Sequence, residues 1–273
     1  MQFYMSDRRF SWFRVRFWVR QTQVALAAIA FYTCLPIPPT WKLDFNGIAR
    51  LAPFVGLFIG GLLSAIDGIL GALGVPDLTR SVVVVLAGIA VTGGLHFDGV
   101  MDTADGLAVP DPQRRLAVMQ DSVVGAFGVM AGIAIVLLKT AALADLSVDR
   151  TFALMAAFGW GRWGQVVAIV RYPYLKPSGK GAIHHASIRS AIDLIPGGLA
   201  LLGLSLLQLL LNPDRWLFGI GMVLGGSAIA ILTGAWFNAK LGGHTGDTYG
   251  AVVEWTEAGL LCLLTALAAA SSG

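Results

Sequence analysis

Residues 217–237, LFGIGMVLGGSAIAILTGAWF, form an apolar stretch that contains no charged side chain. A helix rises about 1.5 Å per residue, so a stretch of this length spans the hydrocarbon core of a bilayer, which is about 30 Å thick. Six other stretches are largely apolar: residues 52–75, 81–95, 123–146, 152–170, 191–211 and 251–270. The sequence therefore predicts an all-α fold, a polytopic transmembrane helical bundle of about seven spanning helices.

The composition indicates a single lipid-solvated unit. Hydrophobic residues make up 56% of the 273 residues and charged residues 13%, and the mean hydropathy is +0.73. Soluble domains contain roughly 25% charged residues. Since no stretch is polar enough to form a domain outside the bilayer, residues 1–273 are expected to form one transmembrane domain. Cys34 and Cys262 lie far apart in or beside apolar segments, which predicts neither a disulfide nor a zinc site.

The N-terminal segment, residues 1–20, is basic and aromatic. Its arginines alternate with aromatic residues, namely Arg8, Arg9, Arg14, Arg16 and Arg20 with Phe10, Trp12, Phe13, Phe17 and Trp18. This pattern predicts a cytoplasmic anchor on anionic lipid and not a nucleic-acid patch. No small-residue cleavage site follows, so a cleaved signal peptide is not expected. The apolar run at residues 24–35 is short and ends in PIPP, which predicts a segment that does not cross the membrane.

Polar residues concentrate in three connections, residues 97–122, 171–190 and 238–250. If the seven spans cross alternately, all three lie on one side. That side carries most of the basic residues, namely Arg114, Arg115, Arg171, Lys176, Lys180, Arg189 and Lys240, against Arg80, Arg150 and Arg215 opposite. The positive-inside rule makes the polar side cytoplasmic. Glycine pairs such as Gly93 and Gly94 predict close helix approach.

The first of these connections includes GGLHFDGVMDTADG, residues 93–106. The spacing of Asp98, Asp102 and Asp105 places all three on one face of a helix. A solvated acidic loop would explain scattered aspartates but not this spacing, and the three charges repel one another unless a cation neutralises them. Carboxylate oxygens without cysteine favour Mg²⁺ or Mn²⁺, and magnesium commonly binds substrate phosphates. The motif therefore predicts a magnesium or manganese site for a pyrophosphate substrate, with His96 as a candidate base or phosphate donor.

Two further polar stretches face the same side. In MQDS, residues 119–122, Asp121 either caps the helix that follows or joins the metal site. The loop GGHTGDTYG, residues 242–250, leads into a span that carries Glu254 and Glu257. Its glycines, with Thr245 and Thr248, suit contacts to phosphate oxygens or to a nucleotide.

Charged side chains inside the spans are costly, so they are expected to face a polar interior or to snorkel. Arg162 is expected to contact a substrate phosphate or a carboxylate, and Lys139 either snorkels or faces the interior. Asp67, near the far end of its span, is predicted to be interfacial. The loop residues His184, His185 and Lys180 are predicted to be solvated.

These motifs together resemble the cobalamin synthase family, the membrane enzymes known as adenosylcobinamide-GDP ribazoletransferases. The matching pieces follow in family order: LPIP at 35–38, GGLHFDGVMDTADG at 93–106, MQDS at 119–122 with Gly125 and Gly128, Lys139, Arg162, and GGHTGDT at 242–248 with Glu254 and Glu257. The arginine-rich segment before Val24 looks longer than is usual for the family.

The resemblance implies that adenosylcobinamide-GDP is joined to α-ribazole or α-ribazole 5′-phosphate, giving adenosylcobalamin or its 5′-phosphate and GMP. It implies Asp98, Asp102 and Asp105 as catalytic metal ligands, Asp121 as a further ligand, and His96 or an aspartate as the base. Lys139 and Arg162 would bind phosphate oxygens. The residues that would orient a nucleotide or complete the metal shell are His244, Thr245, Asp247, Glu254 and Glu257.

The resemblance also implies a setting. It places the protein in the bacterial cytoplasmic (inner) membrane with the active-site loops facing the cytoplasm and membrane lipid as a partner. No nucleic acid is implied, and a homo-oligomer is compatible with the sequence.

Two alternative functions are an enzyme of another family and a transporter. A CDP-alcohol phosphotransferase also uses membrane aspartates and magnesium, but its usual motif has an Ala-Arg pair where this chain has Met101 and Asp102. An ion-coupled secondary transporter would carry its acids near the midplane and show an inverted repeat. Here the acids cluster at one boundary, and no such repeat is visible.

Overall fold

The helical architecture is taken from a computed structural model, which describes residues 4–176, 188 and 190–270, with side chains described from residue 17 onward. The α-helices in this part of the chain are α1 (Tyr4–Tyr32), α2 (Ala52–Ala72), α3 (Asp77–Val91), α4 (Leu95–Ala108), α5 (Pro112–Val118), α6 (Ala126–Asp145), α7 (Arg150–Arg171), α8 (Ile195–Leu211), α9 (Trp216–Leu241) and α10 (Gly246–Ala270). Short 3-10 turns precede α2, α8 and α9.

The predicted membrane bundle is confirmed. Six helical segments among the described residues are long and apolar enough to cross a membrane, and the bent pair α3–α4 raises the number to seven if it counts as one span. The predicted span at residues 81–95 differs from the expectation, because α3 ends at Val91 and α4 leaves it at an angle of 91°.

Two glycines in the left-handed region make this turn. Gly93 has a φ of 60° and Gly94 a φ of 71°, and their N–H groups donate to the carbonyls of Ala90 (3.0 Å) and Ile89 (2.9 Å). Only glycine adopts two such conformations in succession without strain. The pair therefore sets the direction of the backbone and turns α4 roughly perpendicular to α3. The sequence predicted only close helix approach for these glycines and not this turn.

The apolar run at residues 24–35 is not a separate short segment. It is the end of α1, a continuous helix of 29 residues. Val24, Ala27, Ala28 and Tyr32 are fully buried, so this end of α1 packs into the core. Helix α1 is not among the candidate spans, in line with the expectation that the run does not cross. The side chains of residues 1–16, including most of the predicted lipid anchor, lie outside the described residues.

Helix α7 lies at the centre of the bundle and contacts α2, α8, α9 and α10. Its contact with α2 depends on small residues, because a Cβ added at Gly60 would lie 2.6 Å from the Cα of Met155. Such close backbone approach is typical of helices that pack in a membrane.

A buried ion cluster fastens one end of the bundle. Arg150 donates to both carboxylate oxygens of Asp67, at 2.9 and 2.6 Å, and Arg80 Nε lies 3.1 Å from Asp67 Oδ1. Asp67 is only 6% exposed, so it is buried within the protein, and its predicted position at the membrane interface stays a prediction. Its carboxylate ties together α2, α3 and α7 at the ends where these helices meet.

Candidate active site

The three polar connections meet at the other end of the bundle, as their predicted placement on one side requires. Arg115 Nη1 donates to the carbonyl of Lys240 at 3.0 Å. Residues 173–175 run beside His244, whose N–H donates to the Pro173 carbonyl and whose carbonyl accepts from Leu175 N–H, both at 2.8 Å. These contacts join the connections before α6, after α7 and after α9.

Helix α4 packs tightly against the start of α10. Gly99 lies against the main chain of Asp247, and a Cβ added at Gly250 would lie 2.9 Å from the carbonyl oxygen of His96. Because neither helix has a side chain at these points, the two backbones approach closely. The first turn of α10, with Asp247, is therefore held beside the aspartate-bearing helix.

The predicted helix is present, and Asp98, Asp102 and Asp105 all lie on it. Asp98 is exposed and Asp102 is half-buried. The charges of Asp98, Asp247 and Asp105 repel the carboxylate of Asp102, and Lys176 attracts it. Neither the Asp98 nor the Asp102 carboxylate has a side-chain hydrogen bond to any described residue. Negative charge thus accumulates at this point with little compensation from the protein.

Asp105 is engaged differently from its two neighbours. Its two oxygens accept hydrogen bonds from the backbone N–H groups of Gly125 (2.7 Å) and Gly128 (2.8 Å), at the N-terminus of α6. A helix N-terminus favours a carboxylate, because its first N–H groups lack partners within the helix. Any side chain at Gly128 would collide with Asp105. These contacts explain why glycines follow the MQDS motif.

The capping alternative for Asp121 is wrong. The side chain of Asp121 is exposed and accepts from Val123 N–H at 3.1 Å, forming a local turn before α6. Gly125 occupies the cap position of α6, and Asp105 supplies the carboxylate. The predicted metal contact of Asp121 stays a prediction.

The donor set at α4 fits magnesium. Within residues 4–176, 188 and 190–270, no group of three or more His, Cys, Asp or Glu side chains is already arranged around a metal position. Magnesium, however, keeps several waters and is typically bound by one or two carboxylates together with substrate phosphates. Asp98 and Asp102 offer two carboxylates that have no side-chain hydrogen bond within the described part of the chain, and their mutual repulsion favours a hard cation between them.

His96 does not lie with the aspartates. Its side chain is 2% exposed and stacks on Tyr32 of α1, with 6.0 Å between the ring centroids. Positions 96 and 98 point to nearly opposite faces of a helix. The predicted role of His96 as base or phosphate donor stays a prediction, and its location favours a contact with α1.

His244 supports the loop before α10. Its Nε2 donates to the Gly234 carbonyl (3.1 Å), and its Nδ1 lies 3.0 Å from Thr248 Oγ1. The ring is fully buried and stacks on Tyr172 and Tyr249. Burial lowers the pKa of His244 from 6.5 to about 4, against the opposing effect of the Gly234 bond, so the ring is neutral at pH 7.

Thr245 and Thr248 cap α10. The N–H of Thr245 donates to Thr248 Oγ1 at 2.8 Å, and the N–H of Thr248 donates to Thr245 Oγ1 at 3.3 Å. This is the reciprocal arrangement of a capping box. The predicted substrate contacts of His244 and Thr245 stay predictions, because the polar atoms of both residues already hold the loop. Asp247 lies near Asp102.

Four other predicted substrate-binding residues form a buried ion cluster. Lys139 Nζ lies 2.6 Å from Glu254 and 2.5 Å from Glu257, and Arg162 Nη1 lies 2.8 Å from the other oxygen of Glu257. The carboxylate partner considered for Arg162 is therefore confirmed as Glu257, and Lys139 faces the interior. The cluster joins α6, α7 and α10, and its predicted substrate contacts stay predictions.

Lys176 was missed as a site residue. Its Nζ lies 2.8 Å from Asp247 Oδ2, and its charge also reaches Asp102. The only sequence signal was its position in a polar connection, where it counted toward membrane topology alone. The neighbouring His184, His185 and Lys180 lie outside the described residues.

Comparisons with a family model and with individual relatives agree on one family. A family model described as cobalamin-5-phosphate synthase matches residues 24–265. Relatives named adenosylcobinamide-GDP ribazoletransferase include a protein of Trichormus variabilis, 60% identical over 242 residues, with 89% of this chain and 96% of that protein covered. Those of Synechococcus elongatus (53%) and Thermosynechococcus vestitus (51%) each cover 88% of this chain and 95% of their own length. A comparison with solved structures found no match.

Proposed function

The chain belongs to the cobalamin-5-phosphate synthase family, and on that basis we propose that it joins adenosylcobinamide-GDP to α-ribazole or to α-ribazole 5′-phosphate. The products are adenosylcobalamin, or its 5′-phosphate, and GMP. The observation that carries the proposal is the pair of carboxylates, Asp98 and Asp102, which meet Asp247 and Lys176 at the polar end of the bundle.

The reaction is a displacement at phosphorus. The acceptor hydroxyl forms a bond to the phosphorus attached to the cobinamide, the bond from that phosphorus to the GMP oxygen breaks, and the hydroxyl proton passes to a base. Magnesium, or manganese in its place, held by Asp98 and Asp102 would neutralise the pyrophosphate and stabilise charge on the departing GMP.

The protein's own groups bind and orient the reactants. An aspartate of α4 is better placed than His96 to accept the hydroxyl proton, because His96 stacks on Tyr32. Lys176, which is partly exposed beside Asp247, donates to a phosphate oxygen. Asp105 acts as a positioning residue, since it fixes the N-terminus of α6 against α4.

In this proposal the buried cluster of Lys139, Arg162, Glu254 and Glu257 does not contact the substrate, because its charges are paired with one another. It links α10 to α6 and α7, so it holds the helix that brings Asp247 to the site. We assign these four residues to positioning.

The site faces the cytoplasm in this proposal. The basic residues of the polar connections favour that side of the bacterial inner membrane by the positive-inside rule. Both water-soluble substrates would then reach the site without crossing the bilayer.

The experiment incubates membranes that contain the protein with adenosylcobinamide-GDP and magnesium, with and without α-ribazole. GMP and a ribazole-containing corrinoid should appear in equal amounts, and only when both substrates are present. GMP release that does not depend on α-ribazole would contradict the proposal. Release of CMP from a CDP-alcohol would instead support the phosphotransferase alternative.

A further inference from the structure

A cavity of about 500 Å³ lies where the end of α1 meets the turn between α3 and α4. Its lining residues come from the end of α1 and the residues just after it (Phe31, Cys34), from the turn (Gly93, Gly94) and from α4 (Phe97, Asp98). A volume of roughly 300–1,000 Å³ is usual for a small-molecule site. Asp98 lies both on this cavity and at the candidate magnesium site.

The chemistry of the walls favours a polar occupant over an acyl chain. The left-handed turn at Gly93 and Gly94 is irregular backbone, which a membrane protein tolerates only where protein covers it or water reaches it. The carboxylate of Asp98 is exposed, and a charge is costly against lipid. Water or a polar ligand therefore fills this space.

The lining of the cavity combines two kinds of surface. Phe31 and Phe97 supply aromatic surface, on which a flat heterocyclic base can stack. Asp98 is the lining residue at which the proposed metal would hold phosphate. A heteroaromatic ribonucleoside that carries a phosphate matches both kinds of surface, and this chemistry occurs in the GMP half of one substrate and in α-ribazole 5′-phosphate.

We propose that this cavity is a nucleoside subsite of the reaction, with its phosphate end at Asp98 and Cys34 on its wall. The proposal rests on the proposed function and adds the place where a base and its ribose bind. Filling the subsite covers Cys34, which is exposed and lies close to Gly93.

The chain offers a matched pair of reporters, because Cys34 and Cys262 are its two cysteines. The Cys262→Ser variant keeps only the thiol of Cys34. The Cys34→Ser variant keeps only Cys262, which lies on α10 near the Leu138 carbonyl and away from the cavity. Each variant is labelled with a small cationic methanethiosulfonate reagent, with magnesium present, and the labelling rate is measured.

GDP and α-ribazole 5′-phosphate are added separately to each variant. At ten times its Kd, a ligand leaves about one site in eleven free, so one of the two should slow labelling of Cys34 about tenfold. Labelling of Cys262 should not change. Protection by GDP assigns the subsite to the donor, and protection by α-ribazole 5′-phosphate assigns it to the acceptor.

Two results would overturn the subsite. One is a rate at Cys34 that neither ligand changes, and the other is equal protection of Cys262, which would indicate a change of the whole protein. GMP release by the Cys262→Ser preparation is measured in parallel. Normal release without protection refutes the subsite alone, whereas protection without any release refutes the proposed reaction and leaves a nucleoside-binding cavity.

Discussion

Replacing Lys139 by methionine removes one charge from the buried cluster that joins α6, α7 and α10. The intact cluster contains the cations Lys139 and Arg162 and the carboxylates Glu254 and Glu257, so its formal charges cancel. Lys139→Met leaves one buried negative charge in excess, and Glu254→Gln leaves one positive charge in excess. The double variant keeps the contact between Arg162 and Glu257, at 2.8 Å, and is neutral again.

The size of the effect follows from the burial of these groups. Removing one partner of a buried ion pair costs about 3–5 kcal/mol, because the remaining charge has no compensation. A protein of this size loses roughly 2–4 °C in Tm per kcal/mol, so each single variant should melt about 6–20 °C lower. The loss in the free energy of unfolding of the double variant should be about 2–3 kcal/mol smaller than the sum of the losses of the two single variants, since the two positions are in direct contact.

The assay heats each purified protein in mild detergent and measures the fraction that stays monodisperse on a size-exclusion column. Asp77→Asn is the control, because it removes an ion pair to Arg80 in which the Asp77 side chain is 61% exposed. It should cost no more than about 1 kcal/mol. Strictly additive losses, or a Lys139→Met protein as stable as the wild type, would refute the role given to this cluster.

Three further predictions concern the polar end. Gly128→Ala should lower turnover by about tenfold or more, because the added methyl group would push Asp105 away from α6. The control Gly68→Ala should keep normal turnover, because a methyl group added there meets no atom within 4 Å. Tm should fall as the pH drops from 6.5 towards 4, because His244 takes up a proton in the unfolded chain but stays neutral in the folded protein. His244→Asn should reduce this dependence of Tm on pH. An unchanged dependence would show that His244 does not cause it. Lys176→Gln should raise the KM for adenosylcobinamide-GDP about tenfold, and an unchanged KM would remove Lys176 from the site.

The sequence predicts the membrane bundle and the aspartate helix well, for clear physical reasons. Long apolar stretches have few alternatives to a spanning helix. The spacing of Asp98, Asp102 and Asp105 matches one face of a helix, and the structure places all three on α4.

The direction of α4 and the choice of charge partners do not follow from the sequence. A glycine pair can serve either close packing or a turn, and only the φ angles of Gly93 and Gly94 distinguish the two. Arg162 and Glu257 are 95 residues apart, so their pairing depends on how α7 and α10 pack. Asp105 likewise reaches the N-terminus of α6 only because the turn brings α4 there.

The central claim is that carboxylates of α4 hold the divalent cation for transfer at the polar end. The most direct test measures GMP release over a series of magnesium concentrations for the wild type, Asp102→Asn and the control Asp77→Asn. The wild type and Asp77→Asn should require a divalent cation and turn over alike, while Asp102→Asn, with a Tm no lower than that of the wild type, should be at least about 100-fold slower. Near-normal turnover by a folded Asp102→Asn protein would contradict the claim.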